Sequence, residues 1–280
     1  MSPASSIRLL IIDPQNDFCD LAVADGAAHR PALPVPGADA DMRRLARLID
    51  RIGDRVDGID VSLDSHLPID IAHPGWWLDA EGRPPEPFTV IGVDDLAQGR
   101  WRTRDPAHAR RSQDYVARLQ AQGRHALIVW PEHCLIGHWG HNVHDELAGA
   151  LGRWSRSLGR NVDYVLKGSN PFTEHYSALR AEVPDPADGA TTGNPGLLAR
   201  LASADRVLVA GEALSHCVAS TVRDLADALG DAWLSRLVLI GDATSPVAGF
   251  EPQGQAFVRE IIERGARCSR CDELLDPESP

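Results

Sequence analysis

Residues 206–217 read RVLVAGEALSHC, a near-continuous apolar run that breaks on a glycine and leads, from about residue 216, into helical spacing through residue 229. A strand apolar on both faces belongs in a parallel sheet covered by helices. Five other runs share that character: 7–12 (IRLLII), 57–63 (DGIDVSL), 125–130 (HALIVW), 162–167 (VDYVLK) and 236–240 (RLVLI). Helical patterns lie near 38–53, 107–122, 141–158, 195–203 and 251–264. In the first of these, Met42, Leu45, Leu48, Ile49 and Ile52 recur at steps of three and four. The alternation predicts an α/β fold: one domain over residues 1–280 with a mostly parallel six-stranded sheet and helices on both faces. Residues 266–275 offer a further strand.

One segment breaks the rhythm. From 67 to 104 the chain is rich in Pro, Gly, Asp and Trp and shows no period. It reads as a long surface insertion, and Trp76, Trp77 and Trp101 predict that it is packed. The formal net charge of −12 argues against nucleic acid and anionic membrane as partners, since both would repel the chain. No apolar run approaches the roughly 20 residues of a membrane helix. The short apolar stretch before Asp13 does not read as a signal peptide. Five irregularly spaced cysteines do not read as a disulfide framework. A cytoplasmic location is the expectation.

In open parallel sheets, ligands bind at the carboxyl ends of the strands. That rule gathers the chemically capable residues on one rim. Asp13 ends the first strand, Asp64 and His66 follow the second, His133 follows the run 125–130, and Lys167 ends the fourth. Cys217 sits where the fifth strand turns into a helix. A helix N-terminus stabilises a thiolate and offers N–H groups to an oxyanion. A small buried hydrophobe is the plainer reading of Cys217. Asp13 and Lys167 could supply a proton acceptor and an electrostatic partner, although a turn-forming Asp and a solvated Lys are commoner at strand ends. Asp64, His66 and His133 offer one carboxylate and two imidazoles, a donor set for zinc, iron or manganese.

IIDPQNDFCD (11–20), ALPVPGA (32–38), VLKGSNPF (165–172) and VAGEALSHCVAST (209–221) together resemble the cysteine hydrolases of the isochorismatase-like superfamily. The resemblance spans residues 7–66 and 124–250. It implies a triad of Asp13 as general base, Lys167 as its charged partner and Cys217 as nucleophile. It also implies a cis Glu212–Ala213 peptide and an oxyanion hole from the N–H groups of Ala213 and Cys217. WPEHCLIG (130–137), with Asp64-Ser65-His66, is similar to nicotinamidases and pyrazinamidases in particular. That likeness implies a divalent metal, zinc first, on Asp64, His66 and His133, with His73 a further candidate ligand. Phe18 and Trp130 would flank a heteroaromatic substrate ring, with the metal on its ring nitrogen. The implied activity is deamidation of a small carboxamide through a thioester, nicotinamide to nicotinate plus ammonia. A homo-oligomer is compatible with the likeness.

The chain also departs from the pattern. Leu214 and Ser215 stand where nicotinamidases carry Thr and Asp, and the segment from Pro74 to Arg104 has no counterpart in the short ones. Two other readings therefore stay open. One is a related amidohydrolase for carbamoyl or aliphatic amides of the ureidoacrylate, N-carbamoylsarcosine or maleamate type. The other is a non-catalytic binding protein on the same fold.

Overall fold

The computed structural model describes residues 5–275. Chain order gives β1 (Ile7–Ile12), α1 (Ala38–Ile52), β2 (Gly58–Asp64), β3 (Trp77–Leu78), β4 (Thr89–Ile91), α2 (Val93–Ala97), β5 (Arg102–Thr103), α3 (Ala109–Gln122) and β6 (Leu127–Val129). It continues with α4 (Asp145–Leu158), β7 (Asp163–Lys167), α5 (Pro195–Ser203), β8 (Arg206–Gly211), α6 (Ala219–Leu229), α7 (Asp231–Leu234), β9 (Leu237–Ile240), α8 (Glu251–Glu263) and β10 (Arg267–Ser269). Six strands form the main sheet in the order β10-β9-β8-β1-β2-β7, and every neighbouring pair is parallel. Buried aliphatic residues of β1, β8 and β9 form its centre, as expected for strands covered on both faces. No helix among the described residues is long and apolar enough to cross a membrane.

The run 125–130 corrects the expected order. Its strand β6 does not join the parallel sheet but pairs antiparallel with β4 of the insertion. The sixth place is taken by β10, and β7 lies directly beside β2. An apolar run declares burial and not its partner, and here the insertion supplies the partner. Residues 67–104 are thus more than a loop. They carry three short strands and a helix, and Trp76, Trp77 and Ile91 enclose a second hydrophobic cluster with Tyr115, Leu119 and Val129. Trp77 is fully buried and its indole N–H donates to the Ile71 carbonyl at 2.7 Å.

The end of β8 is set by a close approach. Gly211 has φ +107°, and a Cβ there would sit 2.0 Å from the Ile12 carbonyl oxygen. Glu212 N–H donates to that same carbonyl at 2.7 Å, tying the turn after β8 to the end of β1. Gly211→Ala is therefore expected to cost about 3 kcal/mol or more. Urea unfolding checks this, and a loss within about 0.5 kcal/mol, the range of an ordinary surface change, would contradict it.

Candidate active site

The strand ends of β1, β2 and β7 converge on Lys167. Its side chain is fully enclosed, and its Nζ lies 2.9 Å from Asp13 Oδ2, 2.9 Å from Asp64 Oδ1, 2.8 Å from the His175 carbonyl and 3.6 Å from Cys217 Sγ. Burial pulls its pKa down, but Asp13, Asp64 and Cys217 outweigh it and hold the ammonium well above its ordinary value. Asp13 is fully buried, with φ +43°, a left-handed conformation unusual for an aspartate. Ser62 fixes it from β2: Ser62 Oγ donates to Asp13 Oδ1 at 2.6 Å and accepts from Asp13 N–H at 3.1 Å. Burial raises the Asp13 pKa despite the pull of Lys167.

Cys217 lies in a π-helical turn, Leu214–Val218, that precedes α6. The helix start favours a thiolate there, but the surroundings oppose it. Burial pushes the thiol well above its usual value, Lys167 pulls it down, and Asp13 and Asp64 push it up. A neutral thiol next to a carboxylate of raised pKa is a pair that exchanges a proton when charge develops on sulfur. The Glu212–Ala213 peptide is cis. Ala213 is buried, and among the described residues its N–H donates to no protein acceptor.

Asp64 connects this cluster to the histidines. Its Oδ2 lies 3.1 Å from His66 Nε2 and 3.3 Å from His133 Nε2. Burial raises the Asp64 pKa, but His66 and Lys167 outweigh it and hold it well below the usual range. One ring nitrogen from each of His66, His73 and His133 falls within 4.8 Å of the others, and all three side chains are buried. His133 reaches the rim because its segment runs alongside His66: His66 N–H donates to the Cys134 carbonyl at 3.0 Å, and Ile136 N–H to the His66 carbonyl at 3.0 Å. Outer acceptors orient the rings, with Asp70 Oδ2 at 3.1 Å from His66 Nδ1, the Leu67 carbonyl at 3.3 Å from His73 Nδ1, and the Pro131 carbonyl at 2.8 Å from His133 Nδ1. Burial pushes His73 down to about 2. Burial also lowers the His66 pKa, but Asp64 and Asp70 outweigh it and raise it well above its ordinary value. The site draws positive charge between two buried carboxylates. With one carboxylate oxygen and three imidazoles at hand, these residues fit a divalent cation such as zinc.

Phe18 and Trp130 are both buried beside this cluster. The Phe18 ring meets His133 edge-on at 5.4 Å. Trp130 meets His216 at 5.2 Å, and its indole N–H donates to Tyr176 Oη at 3.0 Å. Phe250 closes on His216 at 4.7 Å, and Phe88 of the insertion on Trp130 at 5.8 Å. Sequence reasoning missed this wall of His216, Tyr176, Phe250 and Phe88. Only His216, the neighbour of Cys217, carried a local signal. It missed Ser62 and Asp70 too, although Asp70 lies four residues after His66.

No protein-family model and no curated protein matches the chain. Solved structures do. A nicotinamidase/pyrazinamidase from Acinetobacter baumanii is similar at 19% identity over 98% of this chain and 100% of that one, with a TM-score of 0.61. The yeast nicotinamidase bound to the inhibitor nicotinaldehyde is similar at 17% identity over 94% and 99%, with a TM-score of 0.62. A pyrazinamidase from Pyrococcus horikoshii in complex with zinc is similar at 16% identity over 95% and 99%, with a TM-score of 0.52. The fold is the isochorismatase-like α/β fold.

Replacing Lys167 by Met would leave Asp13 and Asp64 buried without their ammonium. The expected loss is about 3–5 kcal/mol at neutral pH, read by urea unfolding. A variant as stable as the parent would mean that the two carboxylates do not depend on Lys167.

Proposed function

We propose that the protein is an amidohydrolase that cleaves a small carboxamide through a Cys217 thioester, with nicotinamide the leading substrate. The observation that carries this reading is the enclosed Lys167 ammonium in contact with Asp13, Asp64 and Cys217 at once. Such a group holds a base and a thiol together in a site shielded from water. The likeness to solved nicotinamidases supports the substrate class.

In this mechanism Asp13 takes the thiol proton as Cys217 Sγ bonds to the amide carbonyl carbon. The N–H groups of Ala213 and Cys217 hold the oxyanion, and Lys167 balances the negative charge between Asp13 and Sγ. Asp13 then gives its proton to the departing nitrogen, the C–N bond breaks and ammonia leaves. Water attacks the thioester, Asp13 accepts its proton and returns it to Sγ, and the acid is released. Phe18 and Trp130 hold the flat ring of the substrate. Asp64, His66, His73 and His133 would hold the divalent ion, zinc first, and that ion supplies a Lewis-acid seat for a ring nitrogen.

Ammonia release from nicotinamide, beside a panel of carbamoyl and aliphatic amides, tests the reading. Turnover of nicotinamide that falls on chelation is expected. Turnover of another amide alone would keep the Cys217 chemistry and move the substrate. No turnover of any amide would favour a binding protein on this fold. Cys217→Ala and Asp13→Asn are each expected to lower kcat/KM by at least about 10³-fold. Because Asp13 must be ionised to act and its pKa is raised, the acidic limb of kcat/KM should lie above pH 3.8, the ordinary aspartate value. His133→Ala should lose bound metal by elemental analysis, and full retention would remove His133 from the ligand set.

A further inference from the structure

Asp70 is 1% exposed, and among the described residues it forms no ion pair with Lys or Arg. Its hydrogen bonds go instead to the loop that carries two histidines. Oδ2 faces His66 Nδ1 at 3.1 Å. Oδ1 accepts from Ala72 N–H at 2.9 Å. Its backbone carbonyl accepts from His73 N–H at 2.9 Å. The loop is pinned from outside as well, since Ile71 N–H donates to the Pro171 carbonyl at 2.9 Å.

We infer that Asp70 is the positioning residue of the proposed metal site, fixing His66 through its carboxylate and His73 through the turn that it caps. The inference rests on the metal reading given above. Its chemistry is the choice of tautomer. A carboxylate accepts only, so His66 presents Nδ1–H to Asp70, and an ion bound at Nε2 would take the place of the proton that Asp64 draws there. Both carboxylate oxygens are engaged as acceptors, by His66 and by Ala72. An asparagine of the same shape has one acceptor oxygen. If its NH2 turns to His66, the ring must accept at Nδ1 and carry its proton on Nε2, where the ion would bind. If its oxygen turns to His66, the NH2 meets Ala72 N–H and the turn before His73 loosens.

The test is zinc affinity of the full chain by chelator competition, for the parent, Asp70→Asn and Asp70→Ala. Asp70→Asn is expected to weaken zinc binding by about 10- to 100-fold. The thermal midpoint of the chelator-treated protein should stay that of the parent, because shape and volume are kept. In the zinc-loaded parent, ¹⁵N shifts of His66 should show a protonated Nδ1 and a metal-bound Nε2. Should Asp70→Asn fail to fold, Asp70→Ala carries the same affinity comparison. Unchanged zinc affinity in a folded variant would overturn the inference. So would an affinity loss matched by an equal fall in the metal-free midpoint, which marks a merely structural residue. A parent that binds no zinc while still releasing ammonia would remove the metal reading and the inference with it, and would leave the Cys217 chemistry standing.

Discussion

One buried positive charge organises this rim. An ammonium in the interior is tolerated only where carboxylates and carbonyls replace its water, and Lys167 finds these on two strand ends and on the loop that follows its own strand. Each partner is thereby constrained in turn. Asp13 is held in a left-handed conformation, Asp64 is divided between the lysine and two histidines, and Cys217 is kept within reach of both charge signs. The parallel sheet is what makes such a meeting possible, because it delivers the ends of β1, β2 and β7 side by side.

Asp64 makes the two halves of the site one electrostatic unit. One oxygen serves Lys167 and the other faces His66 and His133. Charge gained or lost on the histidine side is felt by the lysine through a single carboxylate, at distances where burial leaves little screening. Cys217 and the buried histidines therefore belong to a common charge balance.

Much of this arrangement was readable from the chain. Asp13, Asp64, Lys167 and Cys217 stand at the ends of apolar runs, and the strand-end rule places such residues together whatever the loops do. The run 125–130 misled because its pattern reports only that it is buried. The state of Cys217 was also hidden: the turn in which it sits suggested a thiolate, while the opposing carboxylates come from β1 and β2, far away in sequence. The aromatic wall was illegible for the same reason. Tyr176, His216 and Phe250 meet from three separate segments, and no local spacing announces them.

The segment 67–104 has its own small core, yet it reaches the site twice: it carries His73 of the histidine cluster, and it backs Trp130, whose N–H donates to the Ala72 carbonyl at 2.7 Å and on whose ring Phe88 packs. Cys217, Trp130 and Tyr176 belong to the main core, whereas Trp76, Trp77 and Ile91 belong to the second cluster. In evolutionary terms such a division is modular. Substitutions in β4 and its neighbours can drift and reshape the surroundings of Phe88 and Trp130 without disturbing the lysine cluster, so descendants of this chain could vary one wall of the cavity while inheriting the buried charges unchanged.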